Sequence, residues 1–205
     1  RRPASAATRG ITDGSHLSAS FNVSWNDVAT AGITLDTLEA DANVILTAAG
    51  NTAITNDAAL ALQGAVTGTL AATATTGDIT DSDTLTVSGA SVFTLGADGS
   101  NIILDSAANA FSGAVTLKAG TSGGQTFGNI VFVDSGAIDF DSAASADGDL
   151  FLDGGTDNTV GGTLSVTATA GGITDSATIA VTGDLTLNDV ATAGITLDTL
   201  EADAN

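Results

Sequence analysis

The sequence predicts an all-β protein, a parallel β-solenoid (β-helix) of about nine coils of 21–26 residues. The first observation behind this prediction is that the segment NDVATAGITLDTLEADAN occurs twice without a change, at 26–43 and 188–205. The second is that related stretches recur along the chain at intervals typical of solenoid repeats. The third is that their apolar runs alternate at a period of two and are rich in Val, Ile, Leu and Thr, which is typical of β-strands.

The internal repeats extend beyond the identical segment. At the same offset of 162 residues, 1–43 aligns with 163–205 without a gap, and its first 25 residues are the divergent part. A second match pairs 68–89 with 162–183. Cutting after recurring Gly or Asn residues divides the chain into nine segments, 1–21, 22–43, 44–64, 65–89, 90–113, 114–136, 137–162, 163–183 and 184–205.

Each segment contains two predicted strands with a turn after each. The first strand is a run such as VILT (44–47) or SVFTL (91–95), and the second is a run such as NIIL (101–104) or NIVFV (129–133). The turns are rich in Gly, Asn, Asp and Ser, which tolerate positive φ or bond to their own backbone. A unit this short cannot bury its apolar face alone, whereas stacked units pair equivalent strands about 4.8 Å apart.

Two local features are consistent with this interior. The segment LDTLEADA (35–42) has apolar residues at helical spacing, but eight residues make a poor isolated helix, and we therefore predict a strand. The scarcity of aromatic residues fits a narrow core. Phenylalanines in or beside strand-like runs are predicted to fill its wider places, namely Phe93, Phe111, Phe132, Phe140 and Phe151.

Composition excludes several classes of partner. The net charge is -20 with only four basic residues, so nucleic acid would be repelled and anionic membrane surfaces are disfavoured. No apolar run is long enough for a transmembrane helix, so no membrane insertion is expected. There is no Cys, which removes disulfides, zinc–thiolate sites and thiol catalysis and is typical of exported bacterial proteins.

No catalytic, cofactor-binding or metal-binding residue is assigned, and we expect the protein not to be an enzyme. The single Lys118 and the single His16 lie far apart in the sequence, and no spacing indicates a catalytic triad. The segment GADGSNIIL (96–104) loosely resembles the calcium-binding nonapeptide of β-rolls, but such sites need consecutive copies. Ca²⁺ at this turn, or at the Asp-rich turns 139–149 and 152–158, is left open.

The strings GTLSVTATAGGITDSATIAVTGDLTL (162–187) and NIILDSAANAFSGAVTL (101–117) resemble the β-strand repeats of giant bacterial surface proteins. These are the filamentous-haemagglutinin-like adhesins and related repeat proteins. The resemblance covers about 26–205. It implies export, a β-helical shaft and a structural or adhesive role, and it maps no catalytic residue onto this chain.

The function predicted from these features is structural: an extracellular or cell-surface fibre, sheath or surface layer that self-associates head to tail. The alternative is the shaft of a bacterial cell-surface adhesin, with cell-surface polysaccharide as a candidate partner. Residues 1–25 are predicted to be a divergent coil, cap or docking segment before a tandem-repeat shaft at 26–205. Within 1–25 lie three of the four basic residues and the only Pro, His and Trp, namely Arg1, Arg2, Arg9, Pro3, His16 and Trp25.

Overall fold

The structure is a computed structural model that describes residues 10–13, 16–28, 30–120, 125–143, 146, 148–153 and 159–202. In this part of the chain all regular secondary structure is β, and no helix is present. Every strand pairs with its neighbours in parallel, and the strands stack as a β-solenoid of about 8 turns. The predicted fold class is therefore confirmed.

Twenty-three strands are present in the described residues. They are β1 (Ile11–Thr12), β2 (Leu17–Ala19), β3 (Val23–Asp27), β4 (Ile33–Ala40), β5 (Val44–Ala48), β6 (Thr52–Asn56), β7 (Leu60–Val66), β8 (Leu70–Ala74), β9 (Ile79–Val87), β10 (Ser91–Leu95), β11 (Ile102–Leu104), β12 (Ala110–Phe111), β13 (Val115–Ala119), β14 (Ile130–Asp134), β15 (Ile138–Phe140), β16 (Asp149–Asp153), β17 (Thr159–Val160), β18 (Leu164–Ala168), β19 (Ile173–Asp175), β20 (Ile179–Val181), β21 (Leu185–Asp189), β22 (Ile195–Thr196) and β23 (Leu200–Ala202).

Three parallel sheets form the walls of the solenoid. The first sheet has the order β1-β4-β6-β8-β10-β13-β16-β15-β19-β22, and β2 also pairs with β4. The second has the order β3-β5-β7-β9-β11-β14-β18-β21, and β12 also pairs with β9. The third has the order β17-β20-β23. Successive coils thus lie on one another as the sequence repeats predict.

The core consists of columns of apolar side chains that run from coil to coil. In the first sheet, Ile54 lies next to Ala72, then Phe93, Leu117 and Leu152 in successive strands. All five side chains are at most 2% exposed. The alternation of the strands places these residues inward and their neighbours outward, and full burial of one Leu or Ile contributes about 1.5–3 kcal/mol.

The solenoid has fewer turns than the predicted nine, because one predicted segment does not form a complete coil. The described residues of 137–162 form β15, β16 and β17, which join the first and third sheets but not the second. In the second sheet β14 therefore pairs directly with β18. Within the first sheet β16 lies between β13 and β15 and pairs in parallel with both. The order of β15 and β16 in the sheet is therefore the reverse of their order in the sequence.

Coil length also varies more than the predicted 21–26 residues. Thr52 pairs with Leu70, 18 residues later, whereas Ile138 pairs with Ile173, 35 residues later. Stacking fixes the strands but not the loops that join them, so insertions accumulate at the turns. The recurring Gly and Asn residues mark these turns without fixing the number of residues between paired strands.

The predicted aromatic core is largely confirmed. Phe93, Phe111, Phe132 and Phe140 are buried, and the Phe111 ring lies edge-on to Phe93 at 5.9 Å and stacked on Phe132 at 5.3 Å. Phe151 was wrongly predicted as a core residue. Its neighbours Leu150 and Leu152 are the inward residues of β16, so Phe151 faces outward and is half-buried. Sequence reasoning did not select Phe127, which is buried.

The segment 35–42, for which a helix was the alternative, is extended. Its residues up to Ala40 lie in β4, which is eight residues long and pairs with β1, β2 and β6. The register with β6 shifts between Leu35 and Leu38, so that both leucines are buried although they are three residues apart. The leucines at helical spacing are therefore inward residues on the two sides of this irregularity, and the predicted strand is confirmed.

Candidate functional site

Three aspartates bind the backbone of the following coil in the same way, two of them at or just after the end of a strand of the first sheet and one within a strand of the second. Asp13, Asp81 and Asp175 each end an Ile-Thr-Asp sequence, and we refer to them as the corner carboxylates. Each accepts hydrogen bonds from two consecutive backbone N–H groups, which would otherwise lack partners at a turn. The donors are Asp36 and Thr37 (both 3.0 Å) for Asp13, Asp105 and Ser106 (both 3.0 Å) for Asp81, and Asp198 (2.6 Å) and Thr199 (2.8 Å) for Asp175.

At Asp13 and Asp175 these hydrogen bonds favour the ionised form of the carboxylate. Slight burial acts to raise the pKa of Asp175, but the N–H groups of Asp198 and Thr199 outweigh it and lower the pKa below its ordinary value. At Asp13, slight burial likewise acts to raise the pKa, and hydrogen bonds from Asp36 and Thr37 outweigh it and lower the pKa. Part of the large negative charge therefore comes from groups that join one coil to the next.

A second column of side chains crosses another corner. Asp78 Oδ1 accepts a hydrogen bond from the backbone N–H of Asn101 at 2.8 Å. Asn101 Oδ1 accepts one from the N–H of Asn129 at 2.7 Å, and Asn129 Oδ1 accepts one from the N–H of Thr163 at 2.9 Å. Each side chain thus binds the coil above it, and the column links four successive coils.

Glycines stack at a corner where successive coils approach each other closely. A Cβ atom on Gly68 would lie 2.5 Å from the carbonyl carbon of Gly50, and one on Gly89 would lie 2.7 Å from the Gly68 oxygen. Gly113 stands in the same relation to Gly89, at 2.6 Å. Any side chain here would push the coils apart, which explains why the sequence repeats close on Gly.

Two fully buried asparagines satisfy corners from the inside. Asn56 accepts a hydrogen bond from the N–H of Ala40 at 2.8 Å and donates one to the carbonyl of Ala59 at 2.7 Å. Asn109 accepts one from the N–H of Leu85 at 2.8 Å and donates one to Asp81 Oδ2 at 2.5 Å. Sequence reasoning gave neither residue a role, because Asn is as common in exposed turns as in such positions.

The two identical segments adopt the same corner. In the first, Asp27 Oδ2 accepts a hydrogen bond from the N–H of Gly32 at 2.7 Å. In the second, Asp189 Oδ2 accepts one from the N–H of Gly194 at 2.5 Å. Gly32 and Gly194 both have positive φ, at 90° and 112°. The Asp–Gly corner is therefore the same in both copies, whereas the strands after it differ: the first copy continues as β4, and the second as β22 and β23, which lie in different sheets.

The surroundings of the two copies differ. The first copy lies beneath β5 and β6, and its Ile33 is 0% exposed. In the second copy, the equivalent Ile195 is 43% exposed and Leu200 is 41% exposed. No strand of the described chain covers this coil. Its half-buried or exposed apolar residues form what we call the terminal coil surface, consisting of Leu185, Leu187, Ile195, Leu197 and Leu200.

The basic residues of the described chain lie in separate surface ion pairs. Lys118 Nζ lies 2.5 Å from Asp153 Oδ2 in the next strand of the first sheet, and His16 Nε2 lies 2.7 Å from Glu39 Oε2. The structure does not bring Lys118 and His16 together. Residues Arg1, Arg2, Pro3 and Arg9 lie outside the described residues.

The turns considered for calcium have other contacts where they are described. Asp98, in the segment 96–104, accepts hydrogen bonds from the N–H and the hydroxyl of Thr126. Most of 152–158, and residues 144, 145 and 147 of the turn 139–149, lie outside the described residues. Among the residues that the structure describes, no three His, Asp or Glu side chains are grouped as metal ligands. The same residues include no helix of the length and apolar character needed to cross a bilayer.

Stacked parallel coils joined by corner hydrogen bonds define a β-solenoid repeat protein. The sequence matches the family described as repeats of unknown function (DUF5649) over residues 49–118 and 127–204. These two regions make up well over half of the chain, which therefore belongs to this family. No curated protein and no solved structure matches the chain.

Proposed function

We propose that the protein is a structural component of an extracellular or cell-surface fibre, sheath or surface layer, and that it extends by head-to-tail association with itself. The observation that carries this proposal is the continuous stack of parallel coils, in which side chains of one coil accept hydrogen bonds from the backbone of the next.

The hydrogen bonds between coils support a mechanical role. The corner carboxylates and the Asp78–Asn101–Asn129 column connect neighbouring coils along the axis. Force along the rod would thus act on many parallel hydrogen bonds and on a continuous apolar core. The net charge of -20 favours solubility of a large assembly. In this proposal the protein has no catalytic role, and its main partner is a second copy of itself.

The alternative is that the solenoid is the shaft of a bacterial surface adhesin. The resemblance of 162–187 and 101–117 to filamentous-haemagglutinin-like repeats favours this alternative. In that case the rod would hold a separate binding region away from the cell, and cell-surface polysaccharide would be a partner of that region. Both proposals place the protein outside the cytoplasm.

Electron microscopy of the purified protein distinguishes the two. The identical segments are seven coils apart in the second sheet, which is about 34 Å at a strand spacing of about 4.8 Å. A structural component should form uniform filaments whose axial repeat is a multiple of the coil spacing. Isolated rods of constant length at every concentration would favour the adhesin shaft. Compact particles without an axial repeat would contradict both.

A further inference from the structure

The first sheet contains one strand more than the other two sheets in the same stretch of chain. Between β13 and β19 it holds both β16 and β15. In the described residues of the same coils, the second sheet has only β18 between β14 and β21, and the third has only β17 between the bridge at Phe127 and β20. We propose that β16 is an exchangeable strand. When it leaves the first sheet, β15 moves down one layer and pairs with β13.

The sequence before β15 matches the sequence on which it would then lie. Ser-Gly-Ala precedes a strand at 88–90 and at 112–114, and it occurs again at 135–137 directly before β15. The first two copies stack on each other, and the N–H of Ser91 after the first donates to the carbonyl of Ala114 in the second at 2.9 Å. Pairing of β15 with β13 would place the third copy on the second in the same way.

The glycine of the third copy does not stack on the glycine of the second in the observed state. A Cβ atom on Gly113 would lie 2.6 Å from the carbonyl carbon of Gly89, so only glycine fits there. A Cβ atom on Gly136 would have a single described heavy atom within 4 Å, namely Asp134 Oδ2 of its own turn at 3.2 Å. Glycine at this position is explained by the exchanged state, in which its backbone would lie on Gly113.

A hydrogen bond between coils is also replaced at this corner. The N–H of Ser112 in the second copy donates to the carbonyl of Val87 in the coil below at 2.9 Å. The N–H of Ser135, the equivalent residue of the third copy, donates instead to Asp134 Oδ1 of its own turn at 2.7 Å. In the exchanged state Ser135 would be placed to bind the coil below, as Ser112 does.

A cavity of about 220 Å³ lies between the second and third copies of Ser-Gly-Ala. It is lined by Ser112 of the second copy and by Gly136 and Ala137 of the third, together with Phe111, Asp134 and Gly148. The earlier copies are in direct backbone contact at the same corner. The cavity therefore marks the place that the third copy would occupy, and movement of β15 onto β13 would close it.

The register of the first sheet indicates the same exchange. The inward column of Val115 passes through Leu150 and Phe140 and then meets Asp175, a half-buried corner carboxylate. A register that places Val115 opposite Ile138 would restore an apolar column, because Ile138 already pairs with an isoleucine of β19. The pairing between β15 and β19 is the same in both states.

The contacts that hold β16 are similar in kind to those that its release would form. Leu150 and Leu152 are at most 1% exposed, and Lys118 of β13 forms an ion pair with Asp153 at the end of β16. Release breaks these contacts, but it closes the cavity and stacks β15 on β13. Two packings that exchange similar contacts differ little in free energy, which is the condition for a two-state element.

The exchange would change the length of one side of the rod. The first sheet spans three strand spacings from β13 to β19, whereas the second spans two from β14 to β21. Release of β16 makes these numbers equal and shortens the first sheet by about 4.8 Å. The axis of the rod would therefore change direction at this coil.

Disulfide trapping tests the exchange, since the chain contains no Cys of its own. Thr116 pairs with Phe151 in the observed state and would pair with Asp139 in the exchanged state. Neighbouring strands lie about 4.8 Å apart, which a disulfide can bridge, whereas an intervening strand doubles this distance. We expect a protein with Thr116→Cys and Asp139→Cys to lose both free thiols on oxidation, as measured by maleimide labelling and intact mass.

Two further pairs are the controls for trapping. Thr116→Cys with Phe151→Cys reports the observed state and should also oxidise. Thr116→Cys with Thr174→Cys joins strands that are not neighbours in either state and should keep its thiols. Asp139 accepts a hydrogen bond from Thr174 of β19, a strand that pairs with β15 in both states, so its replacement favours neither. Oxidation of the Thr116–Asp139 pair no faster than the Thr116–Thr174 pair would overturn the proposal.

A matched pair of core substitutions provides a second test. Leu117 and Leu152 are neighbours in one column and are both 0% exposed, but only Leu152 leaves the core in the exchanged state. Leu152→Asp should therefore keep the β-type circular dichroism spectrum and speed trapping of the Thr116–Asp139 pair about tenfold or more, because a carboxylate disfavours the inserted state. Leu117→Asp should unfold the protein. Equal loss of the spectrum in both variants, or unchanged trapping in Leu152→Asp, would refute the exchange. Both tests are made on monomers and do not depend on the proposed assembly.

Discussion

Ile33 and Ile195 occupy the same position in two identical eighteen-residue segments, yet Ile33 is completely buried and Ile195 is 43% exposed. Their local sequence is the same over the whole segment, and both segments form the same Asp–Gly corner. The neighbouring coils differ, because β6 pairs with β4 beside Ile33 and no described strand lies on the far side of β22. This pair isolates the contribution of coil stacking from that of local sequence.

The first prediction uses this pair. Ile33→Ala should destabilise the protein by about 2–5 kcal/mol, because it leaves a cavity between coils that are packed on both sides. Ile195→Ala should cost well under half as much in a monomer, since its side chain is already in partial contact with water. Urea unfolding followed by circular dichroism measures both. Equal shifts in the unfolding midpoint would show that stacking does not bury Ile33.

The second prediction concerns the corner carboxylate Asp81. Asp81→Ala should destabilise the protein by about 1–3 kcal/mol, because the N–H groups of Asp105 and Ser106 and the buried Asn109 amide lose their acceptor. Asp81→Asn keeps one acceptor oxygen and should cost less. Asp41→Ala, at an exposed turn, removes the same charge and is the control. If Asp41→Ala and Asp81→Ala shift the thermal midpoint equally, the effect is one of net charge.

The third prediction is that two aspartates titrate on opposite sides of the ordinary value of about 3.9. Burial raises the pKa of Asp134 and outweighs the hydrogen bonds from the N–H groups of Phe111 and Ser135. The pKa of Asp175 is lowered by its hydrogen bonds to the next coil. Carbon-detected NMR of the carboxyl groups measures both. A lower pKa for Asp134 than for Asp175 would contradict the assigned environments.

These directions determine how stability depends on pH. Asp13 and Asp175 have lowered pKa values in the folded state, so their stabilising effect is present above about 3.9 and is lost as the pH falls through the folded pKa. Asp134 acts in the opposite sense, because its raised pKa makes the folded state gain stability as its carboxylate is protonated. Asp175→Asn should therefore flatten the loss of stability in acid, and Asp134→Asn should steepen it.

The fourth prediction concerns the stacked glycines. Gly68→Ala should destabilise the protein by about 1–3 kcal/mol, which is the usual cost of overpacking. The reason is that the Cβ atom of the new Ala side chain would lie 2.5 Å from the backbone carbonyl carbon of Gly50 in the coil below. Gly161→Ala is the matched change, since its nearest contact would be 3.2 Å and its φ is not in the left-handed region. A smaller loss at Gly68 than at Gly161 in thermal unfolding would contradict the close approach of the corners.

The repeats and the strand alternation were sufficient to predict the solenoid, because the period-2 pattern of a strand such as SVFTL directly gives its inward residues. They were not sufficient for the number of coils. The residues of 137–162 look like the other segments, but whether β16 adds a turn or folds back beside β15 depends on pairing between distant strands. Phe151 was misplaced for a related reason, since the residues on either side of it are equally apolar and the register decides which face is inside.

The corner carboxylates carried a sequence signal that was not used. Ile-Thr-Asp occurs at 11–13, 79–81 and 173–175, and each occurrence is followed one coil later by Leu-Asp-Thr or Leu-Asp-Ser. The spacing from Asp81 to Asp105 is 24 residues, and that from Asp13 to Asp36 is 23. A search for pairs of motifs one coil apart would have found them. Asn56 and Asn109 have no comparable signal, since only the packing around them shows that they are buried.

The central claim is that the coils are stacked in parallel along one axis, and the identical corners measure this directly. Spin labels at Val28→Cys and Val190→Cys would be specific because the chain contains no other Cys, and both positions are exposed. Seven coil steps separate them in the second sheet, so pulsed electron paramagnetic resonance at high dilution should give one narrow distance near 34 Å, or about 4.8 Å per step. A distance below about 20 Å, or a broad distribution without a maximum, would contradict the stacked solenoid.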